Sequence, residues 1–206
     1  MRVLMTYFEP FGTDTINASA QAAMLLPDEF AGAEVVKIQL PVVFSDAETA
    51  LCAALEEFSP DVVLCTGQAE GITALHLERV AVNLRDAVRA DNSGTITDEV
   101  PVVPDGPAAY FAALPVKHLA KHLRDQGIPA AVSNSAGTYV CNDVMYTLLH
   151  QLSQHSEGVF GGFIHVPLST EQAATRSGTV ASMDAGTAAR GLQAIIQETW
   201  KLYGRA

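Results

Sequence analysis

Short apolar, β-branched segments alternate with amphipathic ones along this chain, and that alternation restricts the fold more than any other feature of the sequence. The strand-like segments are "RVLMTYF" (2–8), "EVVKIQLPVVF" (34–44), "DVVLCTGQ" (61–68), "ERVAVNL" (78–84), "IPAAVSNS" (128–135) and "GGFIHVPL" (161–168). Between and after them the spacing predicts helices over 17–26, 45–58, 114–127, 141–154 and 182–203. In the fourth helix Val144, Met145, Leu148, Leu149 and Leu152 recur at helical spacing and share a face. Asp46 and Asp184 lie near helix starts, and Gly127 ends a helix just before Ile128-Pro129. Strands separated by helices cannot pair as hairpins. They form a mostly parallel, twisted sheet with helices on both faces, an α/β fold.

At 206 residues, with 49% apolar and 17% charged side chains, the chain suits one sizeable core. A single domain over 1–206 is expected. Residues 90–113, rich in Pro, Gly, Asp and Asn, read as a long excursion carrying a short hairpin. No apolar run approaches the roughly 18 residues that cross a bilayer, and the N-terminus lacks a signal peptide's apolar region and cleavage site. A cytoplasmic protein with no membrane partner is expected. The formal charge of −11, with no basic stripe, argues against a nucleic-acid partner. Cys52, Cys65 and Cys141 are odd in number and widely spaced, so neither a disulfide frame nor a zinc site is suggested. No metal or cofactor is called for.

Cys141 stands where strand, turn and helix meet, in "AVSNSAGTYVCNDVMYTLLH". Ligands of open α/β sheets gather at such junctions. The first N–H groups of a helix have no intrahelical partners and carry about half a positive charge, which favours thiolate over thiol. A thiol with pKa near 8.5 is only about 3% ionised at pH 7, whereas one near 7 is about half ionised. Most free cysteines are small buried hydrophobes, and Cys52 (mid-helix) and Cys65 (mid-strand) fit that description as core residues. Cys141 differs by position, provided a base and an orienting carboxylate meet it.

Among the six histidines, His118, His122, His150 and His155 fall on helical, solvated stretches, and His76 in a turn. His165 lies near the end of an apolar strand, on the face opposite Ile164 and Val166. A lone strand histidine is more often a satisfied core residue than a base. Glu78, read as opening the strand "ERVAVNL", is the carboxylate candidate; a rim ion pair with Arg79 is the plainer role.

Taken together, "YFEPFGTDTINAS", "ERVAVNLRDA", "ADNSG", "LPVKHLAKHLRDQGIPAAVSNSAGTYVCNDVMYTLLH" and "GFIHVP" resemble the pyroglutamyl peptidase I (pyrrolidone-carboxylate peptidase) family, in order and over nearly the whole chain. The resemblance implies a cysteine exopeptidase that removes N-terminal pyroglutamate through a Cys–His–Glu triad. By motif these residues are Cys141, His165 and Glu78. It also implies a lactam pocket in which Phe8 and Phe11 flank the ring, Gln68 supplies a polar group, and Tyr139, Val140 and Met145 line the segment around the cysteine. The implied partners are peptides beginning with pyroglutamate, and the implied assembly is a homodimer or homotetramer.

The chain departs from the family pattern at several places. Thr13 replaces a glycine and Ala18 a proline, while Ile72 and Val88 stand where arginines are usual, with Arg89 one position on. Arginines near a triad stabilise developing negative charge, so these changes bear on rate and substrate range. Two alternatives follow: the same triad acting on another small amide or lactam, or a homologue that binds pyroglutamyl peptides and hydrolyses them poorly. A nucleotide-binding protein shares the strand–helix alternation, but no GxGxxG or GxxxxGK[ST] occurs at a strand end.

Overall fold

The computed structural model describes residues 1–155 and 158–204. In chain order the elements are β1 (Arg2–Phe8), α1 (Ala18–Met24), β2 (Glu29–Phe30), β3 (Ala33–Leu40), α2 (Asp46–Phe58), β4 (Val62–Ala69), β5 (Leu75–Glu78) and β6 (Val80–Val82). There follow β7 (Ala109–Phe111), α3 (Val116–Asp125), β8 (Ala130–Ser133), α4 (Val140–His155), β9 (Phe160–Pro167), α5 (Thr170–Ala174) and α6 (Ala185–Tyr203). A seven-stranded sheet runs in the order β2-β3-β1-β4-β9-β5-β8. Its interior ladders β3–β1, β1–β4 and β4–β9 are parallel, as is β5–β8; β5 runs antiparallel to β9, and β2 to β3.

Side-chain alternation along the strands divides the core in two. Val3, Met5, Leu64, Ile164 and Val166 meet Ala22 of α1, Leu119 of α3 and Leu192 of α6 on one face. Leu4, Val63, Cys65 and Phe163 meet Leu51 of α2 and Val144, Met145 and Leu148 of α4 on the other. The expected parallel sheet with helices on both faces is therefore observed. Strands buried on both sides read as continuous apolar runs, which is why the sequence displays them. Both α1 and α6 begin at side-chain caps: Asn17 accepts from the N–H of Ser19 before α1, and Asp184 from that of Thr187 before α6.

The departures have local causes. β3 ends at Leu40 because Pro41 brings no N–H and restricts the residue before it, so the strand does not continue to 44. The segment read as one strand over 78–84 is two. β5 ends at Glu78, and after Arg79 the chain leaves the large sheet to pair β6 with β7 in a small antiparallel one. Glu78 thus closes a strand instead of opening one, and His76 lies within it. The 90–113 excursion holds no hairpin of its own; it folds back, with Val100 bridging Arg85 and its final strand β7 pairing with residues before it. β2 and α5 are too short to leave a periodic signal. Cys65 is fully buried as expected, whereas Cys52 is only partly so. His150 is partly buried, with its Nδ1 2.9 Å from the Tyr110 hydroxyl, and so is not solvated as its helical position suggested. The side chain of His155 lies outside the described residues.

Candidate active site

The parallel β4–β9 ladder sets Cys65 beside Phe163 and Gly67 beside His165, all on the face covered by α4. The antiparallel β9–β5 ladder sets His76 opposite His165, so Glu78, two residues on, is a diagonal neighbour of His165 on that face. Side chains there interact at short range. Nδ1 of His165 is 2.8 Å from Oε1 of Glu78, with the glutamate 1% and the histidine 8% exposed. A carboxylate can only accept, which assigns the proton to Nδ1 and leaves Nε2 for another partner.

That partner descends from α4. Gly137, at φ +80°, makes the turn that lets the chain enter the helix at Val140, one residue earlier than the sequence suggested. The Cys141 thiol arrives on the same side of the sheet as the His165 ring, and both open into one cavity. Its sulfur occupies the space left by the missing side chain of Gly67: a Cβ there would stand 2.9 Å from Sγ and 2.8 Å from Cζ of Phe163. Burial alone lowers the imidazole's proton affinity. The negative sulfur of Cys141 and the carboxylate of Glu78 outweigh that, and His165 is pushed up to about 10. Glu78 and His165 are therefore paired directly, with Cys141 near enough for its charge to act on the ring, and the imidazolium is the form favoured at neutral pH.

The helix start is pinned from below. Asn142, fully buried, accepts from the N–H of Val82 at 2.9 Å and donates to the carbonyls of Val82 and Leu84 at 2.9 and 3.1 Å. Thr138 donates its hydroxyl to the Asp86 carbonyl at 2.7 Å, and Tyr139 to that of Ala90 at 3.0 Å. Arg85 donates to Asp143 at 2.5 Å and also pairs with Glu48 of α2. The segment from Val82 to Ala90 is thus the wall against which the cysteine's helix is set.

Cys141 and His165 open into a cavity of about 500 Å³, within the range of small-ligand sites. Phe8, Phe11, Gln68, Tyr139 and Val140 line it. Phe11 lies 5.5 Å from the Tyr139 ring in a tilted contact, and Tyr139 in turn meets Phe44 edge to face at 5.3 Å, centroid to centroid, so the aromatic wall is backed by a further ring. Met145 is placed differently: it is fully buried in the core beneath α4 and does not reach the cavity, because it falls one turn inside the helix on the sheet-facing side. Ile72 does not line the cavity either, and Val88 is an exposed rim residue. Two guanidinium groups nevertheless reach the cavity wall. Arg89 lies 5.8 Å over the Phe11 ring, and Arg176 pairs with Asp14 at 2.9 Å. Arg176, Asp14 and Thr138 were not singled out from the sequence. Arg176 follows a five-residue helix, and nothing local ties it to residue 14.

A family model for pyroglutamyl peptidase matches residues 1–201. The pyrrolidone-carboxylate peptidase of Thermococcus onnurineus is 50% identical over 173 residues, covering 84% of this chain and 86% of that protein. Pyrrolidone-carboxylate peptidase 2 of Photorhabdus laumondii is 47% identical over 200 residues, covering 97% and 91%. Among solved structures, pyroglutamyl peptidase I from Bacillus amyloliquefaciens superposes with a TM-score of 0.91 at 36% identity, covering 96% of this chain and 94% of that one. A variant of the Pyrococcus furiosus pyrrolidone carboxyl peptidase gives 0.93 at 40%, covering 98% and 99%.

Proposed function

This chain belongs to the pyroglutamyl peptidase family, and on that premise we propose that it hydrolyses the bond after an N-terminal pyroglutamate, with Cys141 as nucleophile, His165 as acid and base, and Glu78 as orienter of the imidazole. The observation that carries the reading is the buried Glu78–His165 pair, with Cys141 beside it at the floor of an aromatic-lined cavity.

The steps follow from that arrangement. The thiolate of Cys141 attacks the carbonyl carbon joining pyroglutamate to the next residue, and the carbonyl π pair moves onto oxygen. Backbone N–H groups in the first turn of α4, free of intrahelical partners, face the developing oxyanion; one well-placed donor contributes about 3 kcal/mol to such a transition state. His165 gives its Nε2 proton to the departing amine as the carbon–nitrogen bond breaks. Water, deprotonated by the now neutral imidazole, then cleaves the thioester and returns the proton to the pair. Glu78 holds the ring by Nδ1 throughout.

Substrate choice follows from the walls. Phe8 and Phe11 offer flat apolar surfaces to a five-membered lactam, and Gln68 offers it a hydrogen-bonding group. A ring-opened glutamyl or glutaminyl terminus carries an ammonium, and burying that unpaired charge in the slot is heavily penalised. All three cysteines are free thiols, as a cytoplasmic location would keep them.

Release of a coumarin from a pyroglutamyl amide tests the reading. Turnover is expected from the wild type and from Cys52→Ala, and none from Cys141→Ala or Cys141→Ser. Turnover by the Cys141 variants would overturn the nucleophile assignment, and preference for a prolyl or glutaminyl amide would overturn the substrate.

A further inference from the structure

Behind the cavity wall, Gln68 is held by a polar network that the triad does not use. Its side-chain oxygen accepts from the Ala18 N–H at 2.9 Å and from Nε2 of Gln172 at 2.8 Å. Its nitrogen donates to Oδ2 of Asp14 at 3.1 Å. Gln172 is 2% exposed and does not line the cavity. Its Nε2 also faces Asp14 Oδ2 at 3.0 Å and the Ile16 carbonyl at 3.2 Å, while its own oxygen accepts the Ser169 N–H at 3.0 Å in the capping box that starts α5. Arg176 neutralises Asp14 through contacts of 3.0 and 2.9 Å.

An amide oxygen has two lone pairs and an amide nitrogen two protons. Both lone pairs of Gln68 are occupied, and one proton is committed to Asp14. The single unused valence of that side chain is an N–H. Turning the amide over would set its protons against the Ala18 N–H and the Gln172 amide, and its oxygen against a carboxylate. We propose that Gln172 is a positioning residue that fixes the Gln68 amide so that only a donor faces the cavity, matching the carbonyl oxygen of a lactam and rejecting a ring that presents a donor there. This inference rests on the lactam-binding reading above and adds to it the origin of the polarity.

The Gln172→Glu exchange tests it. A glutamate keeps the acceptor that caps α5 but, as a carboxylate, sets a second acceptor against the Gln68 oxygen and Asp14, so the Gln68 amide is no longer held in one orientation. KM for a pyroglutamyl coumarin amide, and the inhibition constant of 2-pyrrolidone, the lactam ring alone, are expected to rise about tenfold, the worth of one good hydrogen bond. Because binding and not chemistry is changed, kcat stays within about threefold. In a Gln68→Ala background the same exchange is expected to change KM by less than about twofold, since its effect travels through Gln68. Should the glutamate variant not fold, Gln172→Met, neutral and of similar length, is read in the same way. An unchanged KM, or an equal rise with and without Gln68, overturns the inference while wild-type turnover leaves the peptidase reading standing. Absence of turnover in the wild type fells both.

Discussion

Nδ1 of His165 lies 2.8 Å from Oε1 of Glu78 across a diagonal of the β9–β5 ladder, so one carboxylate fixes the tautomer of the imidazole and, after the negative sulfur of Cys141, helps to hold its charge. The relation is possible because β5 runs antiparallel to β9 in an otherwise mostly parallel sheet. An antiparallel neighbour brings residues two apart onto one face at a shared level, and the pair is buried where its attraction is little screened.

Glu78→Gln keeps the shape and a hydrogen-bond acceptor but removes the charge. Burial then opposes the imidazolium with only Cys141 to counter it, so the proton affinity of His165 falls from its present level of about 10. The imidazolium is needed as acid, and its loss sets the alkaline limb of kcat/KM. That limb is expected to move to lower pH, with kcat at neutral pH reduced about a hundredfold or more, as when an orienting carboxylate is replaced by its amide. A pH–rate profile checks it; an unmoved alkaline limb refutes the role given to Glu78.

Gly67→Ala probes the seat of the sulfur. The added methyl would stand 2.9 Å from Sγ of Cys141 and 2.8 Å from Cζ of Phe163, too close for either to remain in place. A packed core answers such crowding at a cost of about 1–3 kcal/mol. Stability should fall by that order in a denaturant melt, and the alkylation rate of Cys141 by iodoacetamide, together with kcat, should fall at least about tenfold as the sulfur leaves the imidazole. Wild-type alkylation and turnover in a folded variant would show that the sulfur does not depend on this glycine.

Much of this architecture is legible in the sequence because the physics behind it is local. Val62–Ala69 and Phe160–Pro167 are buried on both faces and therefore read as apolar runs, and Cys141 at a helix start and His165 near a strand end become candidates by those positions. Glu78 is visible as a residue but not in its geometry, since a strand that stops at Arg79 to change sheets looks continuous in one dimension. Met145 shows the converse error: proximity to the cysteine along the chain suggests the cavity, while helical rotation sends it to the core. Gln172 and Arg176 lie beyond such reading. Their contacts with Asp14 span 158 and 162 residues, and the five-residue α5 that presents them has no periodic signal.

The Glu48–Arg85–Asp143 cluster places two carboxylates on one guanidinium beneath the α4 terminus. Burial first, and the charge of Glu48 second, raise Asp143 to about 7 against the pull of Arg85. The folded state thus holds a proton that the unfolded state releases near pH 4, so the contribution to stability is complete below about pH 4 and is lost as pH rises through about 7. Asp143→Asn removes this dependence and leaves Arg85 with one carboxylate. Between pH 5 and 8 the variant's unfolding free energy is expected to fall less than the wild type's, by an amount on the order of 1–2 kcal/mol. Equal slopes in denaturant melts at the two pH values would show that Asp143 is ionised throughout.

Asn142 ties the cysteine to the β6 segment, and its two ends can be tested separately. Asn142→Asp preserves the acceptor for the Val82 N–H but turns a carboxylate oxygen toward the Val82 and Leu84 carbonyls, which now receive a donor. Asn142→Ala leaves all three backbone groups unpaired in a site with no solvent exposure. Each lost bond there costs about 1 kcal/mol, and each buried group left unpaired more, so a loss of roughly 2–4 kcal/mol is expected for the alanine variant. The aspartate avoids part of that only by taking up a proton, which then donates to one carbonyl. Its stability deficit is therefore expected to shrink as pH is lowered from 8 to 5, while that of the alanine variant stays constant. Melts of both variants across that range, with Cys141 alkylation rates alongside, distinguish a clamp on the helix start from simple core packing, for which the two deficits would run in parallel.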